Sequence, residues 1–214
     1  MPIVTVIDYG IGNLLSVARA FAHCGVHVNL SADPNQIINA DFLVLPGVGA
    51  FANGMAGLKE RGLVEPIKEF VTRERPFLGI CLGMQMMLDR SEEFGEHTGL
   101  GLIPGTVVAI SPIGADGAPH KIPYIGWNEI VPPPSISWEN TIFRRTPHKT
   151  SFYFVHSYAA VPVSPLHRLA DSNYDGLTIA AAIRKDNLYG CQFHPEKSGQ
   201  HGITVLKSFL ELTE

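Results

Sequence analysis

The first half of the sequence alternates short apolar runs with stretches of helical periodicity, and this alternation limits the fold more than any other feature. Asp33-Pro34 is typical of a helix N-cap followed by the first helical position. The predicted strands are Ile3–Ile7, Val26–Leu30, Phe42–Leu45 and Phe77–Ile80, and the other predicted helices contain Leu14, Val17, Ala18, Phe21 and Ala22, or span Leu63–Val71. This βαβαβαβ order predicts an α/β fold with a parallel sheet and right-handed crossovers.

The second half is richer in strand patterns, with Lys185-Asp186-Asn187 as a hairpin turn. The predicted strands are Val107–Ile110, Trp127–Val131, Phe152–Val155, Thr178–Arg184 and Leu188–Phe193, and a closing helix contains Val205, Leu206, Phe209 and Leu210. We therefore expect an open, mostly parallel central sheet flanked by helices, with a more β-rich second half. No composition break marks a linker, so residues 1–214 are predicted to form a single domain.

Composition excludes several classes of function. A net charge of −4 and 17% charged residues give no electrostatic reason to expect nucleic acid or an anionic membrane as partner. The longest apolar runs have strand length and no basic segment precedes Ile3, so neither a membrane span nor a signal peptide is expected. Cys24, Cys81 and Cys191 form no CxxC pair and leave one cysteine over in any pairing. We expect no disulfide and a cytoplasmic protein.

Cys81 lies where an apolar strand turns into a helical pattern, in the segment Phe77-Leu78-Gly79-Ile80-Cys81-Leu82-Gly83-Met84-Gln85. Glycines on both sides let such a turn close without a Cβ clash and present the side chain between them to a substrate. The pattern is that of a nucleophile elbow with sulfur in place of oxygen. Read alone, Cys81 could equally be a small buried hydrophobic residue.

His194 is the predicted general base for Cys81. A free cysteine has a pKa of about 8.5, so an imidazole must take its proton, and a carboxylate must fix the imidazole tautomer. Glu196 follows His194 by two residues, with a proline between them. His156 in an aromatic strand is the rival base, but no carboxylate lies in its turn. The sequence therefore predicts a Cys81/His194/Glu196 triad.

Acyl transfer also needs donors for the oxyanion. In an elbow one donor is the backbone N–H after the nucleophile, here Leu82, and the second comes from a neighbouring strand-end loop. Pro46-Gly47-Val48-Gly49 follows a predicted strand and is a suitable loop, although an ordinary Pro-Gly turn would have the same sequence.

Two other patterns are interpreted as structural. Gly10-Ile11-Gly12 imitates the start of a dinucleotide fingerprint, but the third glycine is absent and no acidic residue ends the second strand. His23, Cys24 and His27 could suggest a metal site, yet Gly25 breaks the helix between them. We expect neither nucleotide nor metal binding.

The elbow and the His-Pro-Glu segment together resemble the class I (triad) glutamine amidotransferases, which have a flavodoxin-like fold. Further motifs are similar to the glutaminase subunits of imidazole glycerol phosphate synthases and span nearly the whole chain. These motifs are Asp8-Tyr9-Gly10-Ile11-Gly12-Asn13-Leu14, Pro46-Gly47-Val48-Gly49-Ala50-Phe51, Gly126-Trp127-Asn128, Phe152-Tyr153-Phe154-Val155-His156-Ser157-Tyr158 and His194-Pro195-Glu196-Lys197-Ser198-Gly199.

The resemblance implies roles for residues that would otherwise be interpreted as packing or surface positions. The Val48 N–H would join that of Leu82 as an oxyanion donor. Substrate contacts would come from Gly49, Gln85, Ser157 and Tyr158, the last two at the α-amino and α-carboxylate groups of glutamine. The interface with a cyclase subunit that forms a (β/α)₈ barrel, in a heterodimer, would include Trp127, Asn128, Tyr153 and Lys197. No cofactor or metal is implied.

The resemblance also implies an activity, the hydrolysis of L-glutamine to L-glutamate and ammonia through a cysteinyl thioester. The ammonia would pass to the cyclase, which makes imidazole glycerol phosphate and aminoimidazole carboxamide ribotide (AICAR) in histidine biosynthesis. Three alternatives remain. A glutaminase serving pyridoxal phosphate synthesis is disfavoured by the His-Pro-Glu-Lys-Ser segment, a cysteine peptidase would show peptide turnover, and a catalytically silent binding subunit would not need a complete triad.

Overall fold

The structure is a computed structural model that describes residues 3–212. The strands are β1 (Ile3–Ile7), β2 (His27–Ser31), β3 (Phe42–Gly47), β4 (Phe77–Cys81), β5 (Leu88–Ser91), β6 (His97–Thr98), β7 (Ile103–Ala109), β8 (Tyr124–Val131), β9 (Thr150–His156), β10 (Tyr158–Pro162), β11 (Arg168–Tyr174), β12 (Leu177–Lys185) and β13 (Leu188–Cys191). The α-helices are α1 (Leu14–His23), α2 (Pro34–Ile38), α3 (Phe51–Glu60), α4 (Val64–Thr72), α5 (Leu82–Met86) and α6 (Gly199–Leu210), with 3₁₀ turns at Pro165–His167 and Pro195–Lys197.

A nine-stranded sheet in the order β2-β1-β3-β4-β13-β12-β11-β8-β9 forms the centre of the protein. The pairings from β2 through β13 are parallel, and those from β13 onward are antiparallel. A smaller sheet has the order β10-β7-β5-β6. The predicted α/β fold with a strand-rich second half is confirmed, and most second-half strands extend the central sheet rather than form a separate layer.

The central strands are buried on both faces, as their apolar sequences require. In β3, Phe42 and Val44 pack in the cluster with α1 and α6, whereas Leu43 and Leu45 pack in the cluster with α2, α3 and α4. Successive side chains of a strand point to opposite faces, so this alternation places helices on both sides of the sheet. Asp33 caps α2 through a bond from Asn35 N, and Pro34 is its first residue, as predicted.

Helix α3 was not predicted, because its sequence FANGMAGLKE contains two glycines and its N-cap residue, Ala50, has no side chain that can cap it. Strands β5, β6, β10 and β11 also escaped prediction. β6 has only two residues, and β11 carries the polar sequence RLADSNY on a buried segment. β10 pairs with β7, and one edge of β11 pairs with β8, strands distant in the sequence that local propensity does not report.

The topology brings three chain segments together at one edge of the sheet. Gly47 at the end of β3 pairs in register with Cys81 at the end of β4, and on the other side of β4, Cys191 of β13 pairs with Ile80. The glycine loop (Pro46-Gly47-Val48-Gly49), the Cys81 turn and the segment leading to His194 therefore leave neighbouring parallel strands. Open α/β sheets bind ligands at this carboxyl edge. Within residues 3–212, the helices are all too short or too polar to span a bilayer.

Candidate active site

Cys81 occupies a strained backbone conformation between β4 and α5, with φ 54° and ψ −110°. A positive φ is uncommon for a residue with a side chain and is typical of the nucleophile elbow. The neighbouring glycines are sterically required. A Cβ on Gly83 would collide with the Leu45 carbonyl group, and one on Gly79 would lie 2.8 Å from the Gly83 carbonyl. The elbow therefore closes as the sequence predicts, against backbone that leaves no room for alanine.

His194 and Glu196 form a buried pair beside the elbow. His194 Nδ1 lies 2.8 Å from Glu196 Oε1, and each side chain is only 2% exposed. A carboxylate at Nδ1 leaves Nε2 as the atom that can exchange a proton with the substrate or the thiol. Within residues 3–212, Nε2 is buried and has no hydrogen-bond partner, and the Cys81 side chain is near enough to act on the pKa of the imidazole.

Electrostatics favours a charged imidazole at this position. Burial lowers the pKa of His194, but its interactions with the Cys81 side chain and the Glu196 carboxylate outweigh that effect and raise the pKa to about 9. An imidazolium beside Cys81 stabilises a thiolate, which is the nucleophilic form of cysteine. The arrangement can therefore attack an electrophilic carbonyl carbon.

His156, the rival base, has a different environment. Its Nδ1 lies 2.8 Å from the Tyr158 carbonyl oxygen, and an N–H at Nδ1 donates there. Burial lowers the pKa of His156 to about 4, a decrease that the Tyr158 carbonyl opposes and nearby His194 reinforces. A neutral imidazole with so low a pKa is a poor proton acceptor near neutral pH. The geometry thus favours His194 as the base.

A cavity of about 340 Å³ opens at the elbow and has the size of a small-molecule site. It is lined by Val48, Gly49, Cys81, Leu82, Gln85, Glu93, Pro123, Val155, His156, Ser157, Tyr158 and His194. All the predicted oxyanion and substrate residues are in this lining, and Glu196 lies behind His194. The structure brings these positions together from three strand ends and from β9 and β10.

The glycine loop has the conformation expected of a segment that approaches a ligand closely. Gly49 has φ +94°, in the region that glycine adopts without steric cost, and a Cβ there would meet no atom within 4 Å. Val48 beside it is 39% exposed. The loop therefore has open space next to Val48, whose N–H is the predicted oxyanion donor.

Two residues of the site were not predicted from the sequence, one in the cavity wall and one buried behind it. Glu93, 9% exposed, accepts a hydrogen bond from Phe51 N over 2.6 Å and brings a carboxylate to the cavity wall. Gln192 is fully buried, with its Nε2 3.7 Å from Cys81 Sγ and its Oε1 3.1 Å from Gln85 Nε2. Glu93 gave no signal, because it lies in the polar stretch SEEFGE. Gln192 lies two residues before His194, and its position in that segment could have identified it.

Three of the four predicted interface residues form one surface cluster. Trp127 is 57% exposed and its ring centroid lies 6.1 Å from that of Tyr153, while Lys197 Nζ lies 5.9 Å from the Tyr153 ring centroid. Asn128 is outside this cluster, because its Nδ2 donates to the Asn173 carbonyl oxygen of β11. Within the part of the chain that the structure describes, no group of three or more His, Cys, Asp or Glu residues is placed to hold a metal ion.

Fold and site together define a cysteine-dependent amidotransferase. Residues 5–212 match the family model "Glutamine amidotransferase class-I", and the chain belongs to this family. Over 213 residues it is 55% identical to imidazole glycerol phosphate synthase subunit HisH 1 of Legionella pneumophila (strain Lens), covering 99% of this chain and 100% of that protein. It is also 46% identical over 210 residues to subunit HisH of Moorella thermoacetica, covering 98% and 94% of the two chains.

Solved structures share the fold at low sequence identity. PurLQS from Thermotoga maritima matches with a TM-score of 0.76 at 17% identity, covering 100% of this chain and 99% of that one. A glutamine amidotransferase from Thermotoga maritima matches with a TM-score of 0.64 at 17% identity, covering 98% of this chain and 96% of that one.

Proposed function

We propose that this chain is the glutaminase subunit of an imidazole glycerol phosphate synthase. It hydrolyses L-glutamine to L-glutamate and ammonia and supplies the ammonia to a cyclase subunit in histidine biosynthesis. The observation that carries the proposal is the arrangement of Cys81 and the His194–Glu196 pair around one cavity at the carboxyl edge of the sheet. The full-length similarity to the HisH subunits supports the assignment to this pathway.

Acylation begins when the Cys81 thiolate attacks the side-chain amide carbon of glutamine, while His194 holds the proton that the thiol has lost. The N–H groups of Val48 and Leu82 stabilise the oxyanion of the tetrahedral intermediate. His194 then donates its proton to the amide nitrogen, the C–N bond breaks, and ammonia leaves. The product at this stage is a γ-glutamyl thioester on Cys81.

Deacylation reverses the direction of proton transfer. A water molecule attacks the thioester carbonyl while neutral His194 takes one of its protons. The C–S bond breaks, glutamate leaves with the hydroxyl group, and the proton on His194 restores the thiolate–imidazolium pair. Glu196 stays ionised throughout, orients the imidazole and stabilises its cationic form.

The cavity wall supplies groups of the right type for the amino-acid end of glutamine. Ser157 and Tyr158 contact the α-amino and α-carboxylate groups, and Gly49 and Gln85 also contact the substrate. The Gln85 amide is already held by two hydrogen bonds, from its Nε2 to the Tyr158 carbonyl at 3.0 Å and to Gln192 Oε1 at 3.1 Å. Glu93 adds a carboxylate, which attracts an α-ammonium group.

The partner is a cyclase subunit with a (β/α)₈ barrel fold, and Trp127, Asn128, Tyr153 and Lys197 belong to the interface. An exposed tryptophan packed edge-on against a tyrosine under a lysine is a composition suited to a binding surface. The ammonia moves from the cavity to the barrel without meeting solvent. A cytoplasmic location belongs to the same proposal and is supported by the free thiols of Cys24, Cys81 and Cys191.

The test uses Cys81→Ala in the complex with the cyclase subunit. Glutamine-dependent synthesis should be abolished, whereas synthesis from ammonium salts at high pH should continue, because the cyclase needs only ammonia. The matched control is Cys24→Ala, which removes a half-buried thiol on the C-terminal side of α1 and should leave both activities intact. Glutamine turnover retained by Cys81→Ala would refute the mechanism, and loss of ammonium use would refute the division of labour.

A further inference from the structure

Tyr9, two residues beyond the end of β1, is a fully buried tyrosine that the proposed chemistry does not use. Its hydroxyl donates a hydrogen bond to the Pro46 carbonyl oxygen, 2.8 Å away. Pro46 is the first residue of the glycine loop, so this bond connects the N-terminal motif to the segment that presents the oxyanion donor.

Gly47 is enclosed between Tyr9 and the elbow. A Cβ on Gly47 would lie 2.6 Å from Tyr9 Oη, 2.9 Å from Leu82 Cβ and 3.0 Å from Gly83 N. Helix α3 packs against Tyr9 on the other side. A Cβ on Gly57 of this helix would lie 2.9 Å from the Tyr9 carbonyl oxygen and 3.2 Å from the Tyr9 ring. A side chain at position 47 would therefore clash with both Tyr9 and the elbow.

The downstream end of the loop is fixed separately. Phe51 N donates to Glu93 Oε2 over 2.6 Å at the start of α3. Between the two fixed ends, Gly49 has positive φ and open space where a Cβ would be, and Val48 is partly exposed. The Tyr9–Pro46 and Phe51–Glu93 hydrogen bonds thus fix the backbone on both sides of Val48, whose N–H belongs to the Gly47–Val48 peptide.

The Tyr9 hydroxyl remains a donor throughout the working pH range. Burial raises the pKa of Tyr9, and the nearby Cys81 raises it further, so the phenol stays protonated.

We propose that Tyr9 is a positioning residue for the oxyanion donor: its hydrogen bond to Pro46 fixes the base of the glycine loop so that the Val48 N–H can point at the developing oxyanion. The inference rests on the proposed glutaminase function and deepens it. Tyr9 acts through the loop backbone and does not contact the substrate.

The test is Tyr9→Phe in the complex with the cyclase subunit. This change removes the hydroxyl that lies against Gly47 and keeps the ring that packs against Gly57. One hydrogen bond corresponds to about a five- to tenfold effect, so kcat for glutamine should fall by that factor while KM stays within about twofold. Alkylation of Cys81 by iodoacetamide forms no oxyanion, and its rate should be unchanged. The matched control, Tyr189→Phe, removes another buried tyrosine hydroxyl from the same sheet and should leave kcat within about twofold.

An unchanged kcat in Tyr9→Phe would overturn the assignment. So would parallel losses of kcat and alkylation rate, since they would mean that the whole elbow is disturbed rather than the loop alone. Equal losses in Tyr9→Phe and Tyr189→Phe would indicate a general stability effect and would also overturn it. A wild-type complex without glutamine turnover would instead refute the proposed function, and the Tyr9 role with it.

Discussion

His194 Nδ1 lies 2.8 Å from Glu196 Oε1, and both side chains are almost completely removed from solvent. The two residues are separated only by Pro195, so the orientation of the imidazole is set within a single turn of chain. This short-range pair is positioned beside Cys81 by the parallel pairing of β13 with β4. The orientation of the His194 imidazole is therefore set by neighbouring residues in the sequence, whereas its distance from Cys81 is set by strand pairing in the sheet.

Replacing Glu196 by Gln should affect both rate and pH dependence. Loss of the carboxylate should lower glutamine turnover by up to about 10⁴-fold, the loss expected when a triad loses its orienting acid. Burial lowers the pKa of His194, but Cys81 and Glu196 raise it to about 9. The imidazolium loses its proton as pH rises through this pKa. Without Glu196 that pKa falls, so the alkaline limb of kcat/KM should move to lower pH.

The measurement is kcat/KM for glutamine across the neutral and alkaline range, with Glu139→Gln on the exposed surface as the charge-matched control. An alkaline limb at the same pH in Glu196→Gln and the wild type would mean that this carboxylate does not act on His194.

The triad and the sheet edge could be predicted because their signals are local. Gly79, Gly83 and the His-Pro-Glu segment each carry a steric or chemical requirement within a few residues. Glu93 could not be predicted, since its place in the cavity depends on a bond to Phe51, 42 positions away. Helix α3 was missed because tertiary packing of Phe51, Met55 and Leu58 outweighs the low helix propensity of its glycines.

His194 and His156 should differ in acylation. With labelled glutamine at saturating concentration, His194→Asn should leave no labelled carbon on the denatured protein, because no group then takes the thiol proton. His156→Asn should leave labelling detectable, because neutral His156 is not the base in this geometry. Labelling that survives in His194→Asn and disappears in His156→Asn would reverse the two roles.

His156 should also make folding sensitive to acid. Its pKa is depressed in the folded state, from 6.5 to about 4, so the unfolded chain takes up the proton first as pH falls. The stability associated with neutral His156 is present above about pH 6.5 and is lost as pH falls to about 4, by roughly 3 kcal/mol in all.

Denaturant unfolding of the wild type and of His156→Asn, at a series of pH values across that window, measures this contribution. The free energy of unfolding of the variant should depend less steeply on pH, because asparagine does not titrate. Parallel curves for the two proteins would show that His156 is not buried as a neutral group.

The glycine loop should make activity depend on the partner. We expect the Gly47–Val48 peptide, which carries the Val48 N–H, to direct its oxygen toward the site at rest and to rotate when the partner binds its phosphoribulosyl acceptor. A missing oxyanion donor costs about 10²–10³ in rate, so turnover should rise by that order from the isolated chain to the complex with acceptor. Equal turnover by the chain alone, the complex and the complex with acceptor would show that the oxyanion site is preformed.

The central claim is that Cys81 carries the γ-glutamyl group during catalysis, and peptide mapping tests it most directly. The wild-type complex is incubated with labelled glutamine, quenched in acid, digested and analysed for the labelled peptide. We predict that the label lies on the peptide containing Cys81, that it is absent from those containing Cys24 and Cys191, and that hydroxylamine releases it as expected for a thioester. Label on another cysteine, or glutamine turnover with no acyl-enzyme under conditions that trap thioesters, would contradict the account.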